Sequence, residues 1–129
     1  MAGIRQIIFN FPTAGRLLAA HEEGEDYTAN FAGAKNEEDR VDGQGNPLKE
    51  LIITAKTIEL PKVVNNKTQK TYLYIEKAIK DKPGTVTVTT TDGDTIVMNQ
   101  AIIVGEADLS VKTETISIKI MGDASSGYK

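Results

Sequence analysis

Residues 85–91 read TVTVTTT, valine alternating with threonine, and the run closes on Asp92-Gly93. Strict alternation of this kind predicts a strand with one greasy face and one polar face. Asp-Gly between two such runs is the signature of a tight hairpin turn. The returning strand, 95–104, becomes apolar on both faces at Ala101-Ile102-Ile103-Val104. Gly105 then leads into ADLSVKTETISIKIMG. There Leu109 and Val111 share one parity, and Ile116, Ile118 and Ile120 take the other. That change of phase, near Lys112 to Thr115, predicts a bulge or bend. The tail 123–129, DASSGYK, reads as loose.

The first half is less regular. IRQIIFNF, within residues 3–11, is rich in β-branched and aromatic residues and predicts a strand that Pro12 ends. TAGRLLAAHEEG fits a short helix or a second extended piece, being too short for periodicity to decide. Tyr27, Ala29 and Phe31 alternate and predict a strand. From Gly33 to Lys49 the chain turns polar and is punctuated by Gly-Gln-Gly-Asn-Pro, which predicts a loop or a long hairpin tip. An excursion of this length in a small domain is uncommon without a function. In ELIITAKTIEL, Leu51, Ile53 and Ala55 share one face while Ile58 and Leu60 sit on the opposite parity. The shift predicts a bulge or bend near Lys56, and Pro61 is expected to close the run. Tyr72, Ile75 and Ile79, joined by Ala78, predict one helix. Asn65, Asn66 or Thr68 would cap it, and Pro83-Gly84 would end it. A strand through Tyr72 to Ile75 is the alternative. No internal repeat is visible. The sum is mainly β with one short helix, an α+β chain built as an antiparallel β-sandwich or partly open barrel.

At 129 residues the chain makes one domain, 1–129, with the excursion 33–49 and a flexible tail as its irregular parts. With three Phe, four Tyr and no Trp, the core must come mainly from Ile, Val and Leu. The absence of cysteine excludes disulfides, thiolate metal sites and Cys nucleophiles. No run approaches the roughly 20 apolar residues of a membrane span. The N-terminus lacks a signal-like apolar region, which predicts a protein made and kept in a cytoplasm.

A formal charge of −3 argues against binding that works by neutralising phosphates. The charge is unevenly spread. Residues 22–42 hold eight acids, Glu37, Glu38, Asp39 and Asp42 among them, against Lys35 and Arg40. Residues 56–82 hold seven lysines, including Lys62, Lys67 and Lys70, against Glu59, Glu76 and Asp81. Two solvated faces would account for this. Alternatively, the acidic part of one copy meets the basic part of another, head to tail.

Candidate chemistry is sparse. His21, the only histidine, stands in HEEGED beside Glu22, Glu23, Glu25 and Asp26. A metal site needs three or four converging ligands, and neighbours on an extended chain point to alternate sides, so a solvated acidic loop is expected. Neither DRVDGQGN nor the DGD at 92–94 has the spacing of a calcium loop. No phosphate-cradling glycine motif and no nucleophile elbow occurs. Tyr72 and Tyr74 among lysines resemble a stacking platform for single strands, but the net charge opposes it. These residues predict no enzyme and no cofactor.

The order of the final parts carries a resemblance. A helix over Tyr72 to Lys82 precedes the Asp92-Gly93 hairpin, the step IIVGEADLS follows, and ISIKIMG ends the last alternating strand at a glycine. This arrangement, over about residues 50–122, resembles the C-terminal half of bacteriophage tail tube proteins. The resemblance implies a β-sandwich that forms rings, hexameric in that family, which stack into a hollow tube for DNA ejection. Sheets of neighbouring subunits would line the channel, and the long loop would pack on the next ring. The partners implied are further copies of the chain and other tail proteins: a sheath if the tail contracts, the baseplate, the tape measure and the terminator. DNA would pass through the lumen unbound, and the protein would reside in the virion tail after synthesis in the host cytoplasm. Glu37, Glu38, Asp39, Arg40, Asp42, Lys62, Lys67 and Lys70 become the expected inter-subunit contacts. A baseplate, head-completion or decoration subunit, or a monomeric binding module, is the alternative.

Overall fold

The computed structural model describes residues 3–22, 25–37, 43–46 and 50–129. Among them β1 (Ile4–Phe11), β2 (Gly15–Ala19) and β3 (Thr28–Asn30) come first, followed by the pair β4 (Ala34–Glu37) and β5 (Glu50–Ile53). Next are β6 (Lys56–Val64), the helix α1 (Thr71–Ile79) and β7 (Gly84–Thr90). The chain closes with β8 (Thr95–Ser110), β9 (Thr115–Gly122) and β10 (Gly127–Tyr128). Every ladder is antiparallel. The protein is therefore mainly β with one short helix, as the alternating pattern predicts.

The strand β8 organises the architecture. Its first half pairs with β7, its second half with β9, so one 16-residue strand belongs to two sheets. One sheet runs β2-β1-β7-β8 with β10 on the far side of β8, and the other runs β8-β9-β6-β3. The crossing is made where Gln100 (φ 50) and Gly105 (φ 71) adopt positive φ and the register slips between Val104 and Asp108. Extra residues on one strand bend it and sharpen its twist. Between the sheets lies an aliphatic core, with Ile7, Phe9, Ile58, Leu60, Val86, Val88, Ile96, Ile116 and Ile120 wholly buried. The helix lies against β8 and β2, buries Thr71, Ile75 and Ala78, and donates the Tyr72 hydroxyl to the Ala107 carbonyl at 3.0 Å.

The sheet path is not closed. Its β2 end approaches β6, next to last at the other end, through the His21–Val63 bridge and two backbone hydrogen bonds. These are Glu22 N–H to the Lys62 carbonyl and Val64 N–H to the Ala20 carbonyl, each 2.8 Å.

Several expectations are corrected. TAGRLLAAHEEG holds a strand, β2, since Leu17 and Ala19 alternate inward against β1. Pro61 does not end its strand: β6 continues to Val64, and the proline falls in the register shift between Leu60 and Val63, where no ladder N–H is needed. The phase change at Lys112 to Thr115 is neither bulge nor bend but a chain reversal between β8 and β9, with Glu114 at φ 55. The tail is not loose. Ser126 is buried, its hydroxyl accepts the Asn99 N–H at 2.9 Å, and β10 pairs with β8. The helix starts at Lys70, not at a capping Asn or Thr, although the Asn65 side chain accepts the Tyr72 N–H at 3.3 Å from outside the helix.

Candidate functional site

The strongest departure from a self-contained sandwich is the pair β4–β5. It forms a two-stranded sheet of its own, rooted by the Thr54 N–H to Gly33 carbonyl bond of 2.9 Å. The phase change in ELIITAKTIEL marks this root. Before it the apolar residues face outward, after it they face the core. Leu51 and Ile53 are 56% and 76% exposed, whereas Ile58 and Leu60 are buried. The register sets Leu51 opposite Asn36 and Ile53 opposite Ala34, so all four share one face of the arm. Covering an exposed Leu or Ile fully is worth about 1.5–3 kcal/mol. A two-stranded hairpin is marginally stable in water by itself. An arm of this kind gains most by lying on another surface.

A second surface lies at the opposite end of β6. Beside the meeting of β2 and β6 is a groove of about 410 Å³, lined by Arg5, Leu18, Ala20, Val64 and Gln69 among others. Leu18 and Val64 give it exposed apolar walls. At the strand junction His21 is buried, with Nε2 accepting the Lys62 N–H at 3.2 Å and Nδ1 3.3 Å from the Glu22 carbonyl. Those partners require a neutral ring with its proton on Nδ1. Burial lowers the pKa of the ring, against the opposing pull of the Glu22 carbonyl and the Glu25 and Glu22 carboxylates. The expectation of a solvated His21 is therefore overturned: the residue joins two strands. Among the described residues no three His, Asp or Glu side chains converge as a metal site.

The Asn65–Glu114 contact fixes this end of the molecule. Glu114 Oε2 accepts from Asn65 at 3.1 Å while Oε1 pairs with Lys67 at 3.3 Å. The β8–β9 turn is thereby tied to the entry of α1.

Of the expected contact residues, Glu37 ends β4 opposite Glu50 in the ladder. Glu38, Asp39, Arg40 and Asp42 lie outside the described residues. Lys62 is half-buried on β6, Lys67 is held by Glu114, and Lys70 is exposed at left-handed φ 54. The root of the arm and Lys62 thus lie towards opposite ends of β6. Sequence reasoning missed the apolar pair Leu51 and Ile53 as surface residues, and missed Leu18 and Val64. The phase change at Lys56 held the signal for the arm; nothing local marked the groove, because it is assembled from β1, β2 and β6.

The threonine face of β7 is half-buried at Thr85, Thr87 and Thr89, while Val86 and Val88 point into the core. Its neighbours across the ladders are Gln6, Ile8 and Asn10 on β1 and Thr95 and Val97 on β8. This face carries hydroxyls, two amides and aliphatics, and none of these residues is charged.

Among the described residues no helix is long and apolar enough to cross a membrane. No protein-family model matches the chain, and no curated protein matches it.

Proposed function

We propose that this protein is a structural subunit that assembles head to tail with its own copies, as the tube of a bacteriophage tail. The observation that carries the reading is the β4–β5 arm, which projects from the sandwich with Leu51 and Ile53 in solvent. Large exposed apolar side chains on one face of a projecting element mark a contact with another surface. The polarity of the molecule supports repetition, since arm and lysine-bearing end are separated along β6. A contact between unlike surfaces joins copies into rings or filaments.

In this reading the threonine face looks into the lumen. Uncharged hydroxyls offer phosphates no counter-charge, so DNA slides past without binding. The subunit works as a conduit wall in the virion tail. Its partners are its own copies and the tail components that begin, end or sheathe the tube.

Negative-stain electron microscopy of the purified, concentrated protein tests the reading. Stacked rings or tubes with an open centre are expected, and image symmetry would give the subunit count. Small uniform particles at every concentration, with or without baseplate fractions, contradict it and favour a monomeric binding module. Replacing Glu37, Glu38 and Asp39 together with lysine is expected to reduce tube yield while leaving the monomer folded; unchanged yield removes that part of the arm from the contact.

A further inference from the structure

The geometry points to the edge of β8 at residues 95–99 as a docking site for an extended strand of another protein, with the chain's own tail as its displaceable cover. On one side β8 pairs with β7; on the other, Thr95, Val97 and Asn99 present their peptide groups to the tail. The tail meets them unevenly. Lys129 N–H donates to the Thr95 carbonyl at 2.9 Å, Gly127 pairs with Val97, and Asp123 N–H donates to the Asn99 carbonyl at 2.9 Å. At the Asn99 N–H the ladder breaks. That donor meets the Ser126 hydroxyl at 2.9 Å instead of a carbonyl, because residues 123–126 turn, closed by Ser126 N–H to the Asp123 carbonyl at 3.1 Å. The cover is also thin. Asp123, Ala124, Ser125, Tyr128 and Lys129 are exposed, and only Ser126 and Gly127 are buried. The Lys56 ammonium adds a tie to the Ser126 carbonyl at 2.9 Å, and the Tyr128 ring stands edge-on to Phe31 at 5.5 Å. A segment with so few buried contacts opens at small cost, and a bared strand edge is a template for pairing.

The occupant follows from what the tail leaves undone. A segment extended throughout gives the Asn99 N–H a backbone carbonyl and completes the ladder over residues 95–99, which the turn at 123–126 prevents the tail from doing. Two features of the tail carry over to the occupant. One is a glycine opposite Val97, where Gly127 takes φ 131, and the other is an aromatic residue opposite Ile96, against Phe31. Further copies of this chain carry the same interrupted tail. They gain no contact over the resident one, which its tether holds at high local concentration. The edge therefore selects a different protein, by strand addition. This inference goes beyond the assembly reading and is independent of it.

A fluorescein-labelled peptide, Lys-Thr-Val-Thr-Gly-Tyr-Lys, keeps the last three residues of the tail and replaces its turn with an extended run. Its binding to the full chain is read by fluorescence anisotropy. Ser126→Ala leaves the Asn99 N–H without its partner until the peptide supplies a carbonyl, so binding about tenfold tighter than to the native chain is expected. Tyr128→Ala, at an exposed position, loosens the tail without touching the core and is expected to tighten binding as well. Circular dichroism verifies that both variants fold. With the peptide at saturation, the Lys129 amide is expected to exchange its hydrogen faster while the Asn99 amide stays protected. Equal affinity for the native chain and both variants overturns the site. So does binding that leaves the Lys129 amide protected, because the peptide then sits elsewhere, and so does a peptide that binds none of the three chains.

Discussion

Gly84 shows how tightly single positions are set. A Cβ there would collide with the Asn10 carbonyl oxygen and sit 2.9 Å from Phe11 Cα, where β7 passes β1. Gly84→Ala must push two paired strands apart, and overpacking of this kind costs about 1–3 kcal/mol. The expected result is a lower midpoint in denaturant unfolding with an unchanged slope; an unchanged midpoint contradicts the close approach. Asp81 is the second such position. One carboxylate oxygen accepts the N–H groups of Thr13 at 2.8 Å and Ala14 at 2.7 Å, and the other accepts that of Lys82 at 2.7 Å. Desolvation pushes its pKa up, yet these donors outweigh it and hold the carboxyl below its usual 3.8. A depressed carboxylate stabilises the fold above its unfolded pKa and loses that contribution as pH falls through the folded value. Asp81→Asn is therefore expected to lower the melting temperature at neutral pH and to flatten the acid limb of the stability profile. Neither role was legible in the sequence, where Gly84 read as a helix terminator and Asp81 as one charge among lysines. Both depend on which distant strand passes by.

At the scale of elements, the Val-Thr alternation of β7, the Asp92-Gly93 hairpin and the helix were legible, because each is specified within a dozen residues. Gly93 takes φ +90 in that turn, as a glycine there should. The β8–β9 reversal was not, since Lys112, Thr113 and Glu114 lack the glycine that usually marks a turn; Glu114 takes the left-handed conformation itself. The tail was misjudged for a similar reason: its burial depends on Asn99 and Val97 of β8. The meeting of β2 and β6 is likewise a long-range product, and it contains the one histidine. A His whose folded pKa is lowered takes up its proton less readily than the unfolded chain does. Stability from His21 is accordingly complete above the unfolded value of 6.5 and declines as pH falls below it, towards the folded value. The charged groups acting on the ring are Glu25 and Glu22, and β6 brings Lys62 beside it. Melting temperatures taken from about pH 8 to about pH 5 should fall in this window for the native chain. They should fall less for His21→Gln, and equal slopes would remove the residue from the joint.

The whole molecule is a sandwich with a built-in direction, its β4–β5 arm at one end of β6 and the groove beside Leu18 and Val64 at the other. The sequence made the uneven charge plain, with acids in 22–42 and lysines in 56–82. It could not show that Glu22 of the acidic stretch meets Lys62 of the lysine stretch, because that depends on where the chain after β2 reaches β6. Nor could it turn Leu51 and Ile53 outward, since a strand of alternating apolar residues reads as core until its partner is known. The measurement that bears most directly on self-assembly is sedimentation velocity over a concentration series, native chain against Leu51→Glu/Ile53→Glu. The account predicts large, concentration-dependent species for the native chain and a folded monomer for the variant. A native chain that stays monomeric up to its solubility limit, or a variant that assembles as readily, would contradict it.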